Sequence, residues 1–293
     1  MAEEHTVGIV GTGALGSALA AAALDSGITT SVWNRTPGRA RALVEAGATL
    51  RPTVADLVAS TAVVVITVST YDDVRSVLTE AGQSVRGRTI VNLSSGTPSD
   101  AVAVAENVGS RGGRYLDGAA MSGTRLVGDA SAKFFYSGDG DAFSRYREVL
   151  EAFGTPLFLG TDPAAASAYD TAILGMILGF LTSSYQALAL LQRQDIDVEH
   201  FPSVVRDYWP FVVGLFDRHT TQIRTNAITA DDGTIDVYVD AIRHVIDTGA
   251  SLGIDTSLAE AISGLLQRTS DNGHGADGLP YLAQTLNAIG APL

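Results

Sequence analysis

The run "GIVGTGALGSALA", a few residues from the start of the chain, constrains the fold more than any other stretch. An apolar segment, Thr6 to Val10, leads into Gly11, Gly13 and Gly16 at G-x-G-x-x-G spacing. An alanine-rich helical segment follows, then Gly27 and a second strand-like segment, Thr29 to Trp33. Strand, glycine turn, helix and strand make a βαβ unit. In such a unit Gly11 makes the tight turn, Gly13 lets the backbone approach a pyrophosphate, and Gly16 lets helix and strand pack closely. The motif alone is weak evidence. After a strand and opening a helix, it predicts a dinucleotide site.

The end of the second strand selects the dinucleotide. NAD binders commonly place an acid there to bond the ribose 2′-hydroxyl. Here the chain reads "WNRTPGRAR", with Asn34, Arg35, Thr36 and Arg39 in place of the acid. A guanidinium fork suits a phosphate, so the sequence predicts NADPH rather than NADH.

Further strand-like segments follow at "AVVVITVST", "RTIVN", "GRYLDGAAMSG", "AKFFYSGD" and "PLFLG", separated by helical patterns. This alternation predicts an α/β fold with an N-terminal Rossmann doubly wound sheet over residues 1–162. Ligands of such sheets sit beyond the carboxyl ends of the strands, which nominates Ser69–Thr70, Asn92 to Thr97 and Met121 to Thr124. Beyond Gly160 the strand signals stop. Residues 163–192 read as one long interdomain helix, about 42 Å for about 28 residues. Residues 193–293 read as an all-α domain with helices near 199–225, 235–252, 256–272 and 277–289. Gly175 and Gly179 weaken the long helix unless another backbone approaches them. These helices make a poor independent core, so a second copy of the chain is expected to complete it.

Composition excludes several classes of function. The 293 residues carry a net charge of −13, which disfavours nucleic acid and anionic membranes as partners. There is no cysteine, hence no disulfide, thiolate metal site or cysteine nucleophile. No cluster has metal-ligand spacing. The acidic N-terminus does not resemble a signal peptide. The apolar stretch Thr171 to Leu191 is long enough to span a membrane but carries Thr182, Ser183, Ser184, Tyr185 and Gln186 in a row, and reads as a buried helix of a soluble, cytoplasmic protein.

The motifs "GIVGTGALGSALA", "VWNRT", "NLSSGTP", "YLDGAAM…YSGD", "YDTAIL" and "GID…GHGADGLPYL" occur in this order over nearly the whole chain. In that combination the sequence resembles the imine reductase and reductive aminase family. The resemblance implies an NADPH-dependent oxidoreductase acting on C=N bonds, with a cyclic imine, or a carbonyl plus an amine, as substrate. It also implies a domain-swapped homodimer. For the cofactor it implies Gly11, Gly13, Ala14 and Leu15 at the pyrophosphate. Asn34, Arg35, Thr36 and Arg39 would lie at the 2′-phosphate, Thr67, Val68 and Ser69 on the ribose side, and Asn92, Ser94 and Ser95 by the nicotinamide. His274 falls in a loop near the cofactor. The neighbouring β-hydroxyacid dehydrogenases share the architecture and resemble the chain at "LDGAAMSG", close to Met121 and Ser122. Their chemistry uses a lysine on the long helix, whereas the lone lysine here is Lys133.

The chain departs from the family pattern at its most chemical point. Asp170 matches the acid of "YD", but the usual proton-donor position falls on Leu178, and Thr182 stands where histidine is common. Three readings remain open at this level. Asp170 stabilises an iminium that arrives already protonated; or a donor has moved, to Thr182, Tyr185, or Tyr208, Tyr238, Asp240 or His244 of a partner's helices; or imine reduction is lost and the protein reduces another bond or only binds NADPH. Asp170 as a plain capping or salt-bridged helix residue stands beside these. Trp209 is either a pocket wall or a helix-packing residue.

Overall fold

The computed structural model describes residues 5–288. The chain divides into two compact units, with the division between Met176 and Ile177, inside the long helix. The first unit runs β1 (Thr6–Val10), α1 (Ala14–Asp25), β2 (Thr29–Trp33), α2 (Arg41–Glu45), β3 (Thr49–Leu50), α3 (Val54–Ser60), β4 (Val63–Ile66) and α4 (Tyr71–Ala81). It continues through β5 (Thr89–Asn92), α5 (Pro98–Ser110), β6 (Arg114–Ala120), β7 (Lys133–Gly138), α6 (Gly140–Arg145), α7 (Arg147–Glu151) and β8 (Thr155–Phe158) into α8 (Ala165–Arg193).

The strands form one eight-stranded sheet in the order β3-β2-β1-β4-β5-β6-β7-β8. Pairing is parallel throughout, except that β7 runs antiparallel to β6. Strand side chains alternate between faces, and here both faces are apolar. Val7, Ile9, Val63 and Val65 face a core built with Leu19, Ala23, Phe134 and Phe153. Val10, Val64 and Ile66 face a second core with Leu57, Val74, Leu78 and Val104. Burial on both faces explains the nearly unbroken β-branched run at residues 63–66.

Several predicted boundaries shift for local reasons. The strand expected over residues 62–70 ends at Ile66, because the Thr70 hydroxyl accepts from the Asp73 backbone N–H and caps α4. The two-residue β3 is too short to show a strand period. The helix expected over 277–289 starts only at Leu282. Gly278 and Pro280 hold the preceding residues in a turn, and residue 289 lies outside the described residues.

The second unit contains the rest of α8, then α9 (Phe201–Thr225), α10 (Ile235–Ser251), α11 (Ser257–Thr269) and α12 (Leu282–Ala288). Its buried cluster is small: Ile235, Val239 and Leu266, flanked by Tyr238, Ile242, Leu279 and Leu282. Gln186 Nε2 donates to the Asp255 carbonyl at 3.1 Å and ties α8 to the turn before α11. Leu178, Phe180, Tyr208, Phe211 and Phe216 on α8 and α9 are exposed. By length and composition α8 could cross a membrane, with mean hydropathy 1.6. Apart from the backbone of α8 itself, no described atom lies within 4 Å of where a Cβ on Gly175 or Gly179 would be, so the backbone approach expected there is not seen among the described residues.

The glycines of the first turn differ in a way that can be measured. A Cβ on Gly16 would overlap the Gly11 carbonyl oxygen, whereas a Cβ on Gly13 would meet nothing within 4 Å. Gly16→Ala should therefore cost about 1–3 kcal/mol through overpacking. Gly13→Ala should leave the melting temperature of the free protein unchanged but weaken NADPH binding. Thermal melts with and without NADPH check both; equal melting shifts for the two free variants would contradict the assignment.

Candidate active site

The β1–α1 turn is held by its neighbours. Gly11 has φ +96°, a conformation that favours glycine, and a Cβ there would lie 2.6 Å from the Thr67 carbonyl oxygen. The Thr67 hydroxyl donates to the Gly11 carbonyl at 2.9 Å. Gly13 is the N-cap of α1 and supplies no side-chain cap, so the first N–H groups of the helix, at Ala14 and Leu15, have no capping side chain. Open space in front of Gly13 beside an uncapped helix start is the geometry a pyrophosphate needs.

A cleft of about 730 Å³ runs from this turn along the ends of β1, β2 and β4. Gly11, Gly13, Asn34, Arg35, Thr36, Arg39, Thr67, Val68 and Ser69 all line it, so most of the predicted cofactor residues come together. Their roles differ. Asn34 is largely structural: its Oδ1 accepts from the Thr12 backbone N–H at 3.0 Å and its Nδ2 donates to the Thr36 carbonyl at 2.9 Å. Arg35 pairs with Asp73 at 2.9 Å. The Thr70 hydroxyl, and then Arg35, hold the Asp73 carboxyl below the usual carboxylate range. Arg39 extends into the cleft without a side-chain partner among the described residues.

Sequence reasoning missed Arg51, which also lines the cleft. It follows β3, its backbone N–H donates to the Val32 carbonyl at 2.9 Å, and its Nε donates to Ser31 Oγ at 3.2 Å. Recognising the short edge strand would have found it. The cleft thus carries three guanidinium groups where an NAD site would carry an acid, and it fits a dinucleotide bearing a 2′-phosphate.

On the nicotinamide side, Asn92 and Ser94 are buried and bonded within the protein. Asn92 Oδ1 accepts from the Ser94 N–H at 3.1 Å, and Ser94 Oγ accepts from the Val68 N–H at 3.0 Å. Their side chains shape the wall from behind. Ser95 and Ser69 line a smaller hollow with Thr70 and Thr97. Met121 and Ser122, at the end of β6, are half-buried, and Ser122 Oγ accepts from the Lys133 N–H at 3.0 Å. Lys133 Nζ donates to the Ala130 carbonyl and sits on β7 rather than on the long helix.

Asp170 lies in the second turn of α8, half-buried, with no side-chain hydrogen bond or ion pair among the described residues. It is therefore no helix cap. Burial without a partner pushes its carboxyl above the usual range. Such a group is complementary to a cation. Farther along α8, Leu178 and Tyr185 are exposed, and the Thr182 hydroxyl donates to the Leu178 carbonyl at 2.8 Å. That bond commits the Thr182 proton to the helix backbone.

In the second unit the other candidates are scattered. The Tyr238 hydroxyl donates to the Asp232 carbonyl at 2.8 Å, and Asp240 pairs with Arg243 at 3.0 Å. His244 is exposed. Trp209 packs edge-on against Phe180, ring centroids 4.8 Å apart, which is the helix-packing alternative for this residue. His274 joins Asp277 at 2.7 Å and the Tyr281 hydroxyl at 2.8 Å, an arrangement the sequence did not reveal.

A doubly wound sheet with a helix-start phosphate seat and a cationic 2′ end defines a nicotinamide-dinucleotide oxidoreductase. Comparison with known proteins narrows the class. Residues 6–161 match the NAD binding domain of 6-phosphogluconate dehydrogenase, and residues 162–288 match the NADPH-dependent reductive aminase-like C-terminal domain. An NADPH-dependent reductive aminase of Aspergillus oryzae is 31% identical over 95% of this chain and 96% of its own length. The imine reductase of Myxococcus stipitatus, solved with NADP+, superposes with a TM-score of 0.87 at 32% identity, over 96% of this chain and 99% of that one. A reductive aminase from Aspergillus terreus, solved with NADPH4, cyclohexanone and allyl amine, gives 0.87 at 28% identity over the same shares. The chain belongs to the imine reductase and reductive aminase family.

The cofactor end yields a direct expectation. Arg39→Ala and Arg51→Ala should each raise KM for NADPH about tenfold, the worth of one charge-assisted hydrogen bond, with KM for NADH nearly unchanged. Steady-state kinetics with both cofactors measures this, and parallel changes in the two constants would contradict a 2′-phosphate role.

Proposed function

We propose that the protein is an NADPH-dependent imine reductase that reduces the C=N bond of cyclic imines, and that it reduces them as preformed iminium ions. The observation that carries this reading is Asp170: a half-buried carboxylate without a side-chain partner among the described residues, near the start of the long helix α8. When bound, NADPH supplies the hydride. The chain holds the dinucleotide by the α1 start and the arginines, and Asp170 stabilises the positive charge of the protonated C=N group. Leu178 contributes apolar surface and no proton. An imine basic enough to take its proton from water needs no donor at that position, which avoids the loss of about 10²–10⁴ in rate that a missing general acid otherwise brings. Reductive amination belongs to the same reading, since a carbonyl and a primary amine condense with loss of water to an imine that a proton from solution converts to an iminium. The β-hydroxyacid dehydrogenase alternative lacks its lysine, because α8 has none. An NADPH-binding protein without turnover would leave the Asp170 carboxylate without a task.

Asp170→Ala should lower kcat on 2-methyl-1-pyrroline about tenfold or more, and Asp170→Asn should lose less where hydrogen bonding suffices. Tyr185→Phe should change little, because no donor is needed. Leu178→Tyr should gain most on weakly basic imines. An unchanged kcat in Asp170→Ala would sink the reading.

We further infer a homodimer, with the helices of each chain completing the substrate site of the other. The small cluster around Ile235, Val239 and Leu266 cannot stabilise the second unit alone. The exposed Leu178, Phe180, Tyr208, Phe211 and Phe216 supply the missing apolar surface. Gly175 and Gly179 leave room for a partner helix. Sedimentation should show twice the chain mass without detergent; a monomer, or a requirement for detergent, would contradict this and favour a membrane role for α8.

A further inference from the structure

One buried acid has no part in the chemistry described so far. Asp117, on β6, has no exposed surface. Its Oδ1 accepts from the Tyr71 hydroxyl at 2.6 Å, from the Tyr115 hydroxyl at 2.9 Å and from Asn92 Nδ2 at 3.4 Å. Its Oδ2 accepts from the Ser167 hydroxyl. Burial pushes this carboxyl above its usual range, and the Ser167, Tyr71, Tyr115 and Asn92 donors oppose that shift. Burial, and then the Asp117 charge, raise the two phenols as well, which keeps both as donors. A buried carboxyl without a cation is an expensive way to fill space, and an apolar side chain would be cheaper.

The donors show what the carboxyl holds together. Tyr71 opens α4, Asn92 ends β5, and Ser167 lies in the first turn of α8. Asn92 continues the network to Ser94, and Ser94 to Val68 in the cofactor cleft. Ser167 precedes Asp170 by about one turn of a continuous helix. We infer that Asp117 is a positioning residue of the active site: one buried acceptor that fastens the start of α8, and with it Asp170, to the Asn92–Ser94–Val68 wall at the strand ends. The inference rests on the reading of Asp170 as the carboxylate that faces the substrate cation.

The spokes of this hub are not equivalent, and that supplies the test. Tyr115 lies two residues from Asp117 in the same strand, and its hydroxyl otherwise meets only that of Tyr71 at the start of α4, so it fastens nothing of α8. Ser167 fastens α8. Ser167→Ala and Tyr115→Phe each remove one hydroxyl from the same carboxyl, and a purely structural hub predicts the same outcome for both: some loss of melting temperature, no selective loss of rate. The positioning role predicts otherwise. Ser167→Ala should lower kcat about five- to tenfold with 2-methyl-1-pyrroline while KM for NADPH stays within about twofold, because small displacements of a reacting group cost rate steeply. Tyr115→Phe should keep kcat within about twofold even where its melting temperature falls as far. Equal changes in kcat for the two variants, including no change in either, would overturn the inference. Asp170→Ala, measured in the same series, judges the reading of Asp170 by itself, so the two failures are told apart.

Discussion

The first constraint on this molecule is the approach of two backbones. The tail of β1 and the first turn of α1 lie so close that Gly16 has no room for a side chain beside the Gly11 carbonyl. Thr67, at the end of β4, braces the same turn through its hydroxyl. From this contact follow the direction of α1, the uncapped N–H groups at its start and the position of the cleft. The arginines matter only because the turn puts a phosphate seat beside them. Asn34 illustrates the dependence: its amide joins the glycine turn to the tail of β2 and so fixes the spacing between pyrophosphate and 2′ ends.

The second constraint is electrostatic. Two acids of the first unit, buried Asp117 and half-buried Asp170, are handled in opposite ways. Asp117 is surrounded by four hydrogen-bond donors and has become part of the frame. Asp170 has none among the described residues, and in the proposed reaction its partner is the substrate cation. The contrast gives a physical basis for the proposed reaction, in which the apolar Leu178 supplies no proton. Where an iminium already carries its proton, the site must supply a held negative charge and an apolar wall.

Much of this was legible in the sequence, for identifiable reasons. The glycine turn declared itself through its flanking strand and helix, the 2′ end through arginine in place of an acid, and α8 through an apolar run too long for a strand. Residues close in sequence carried those signals. What stayed hidden depends on contacts between distant residues. Tyr71 and Ser167 lie 46 and 50 positions from Asp117, and nothing in "YLDGAA" announces that its acid is buried and shared. Arg51 was missed because a two-residue edge strand has no period to read. The reversed direction of β7 escaped for a related reason: an apolar strand pattern reads the same in either direction.

The central claim is that the proton of the reduced C=N group comes with the substrate. It is tested most directly by NADPH oxidation between about pH 6 and pH 9 with several cyclic imines of different basicity. If the proton arrives on the substrate, kcat/KM falls as pH rises through the pKa of each imine, so that the falling limb moves with the substrate. A falling limb at one fixed pH for all the imines would reveal a donor on the enzyme and contradict the account.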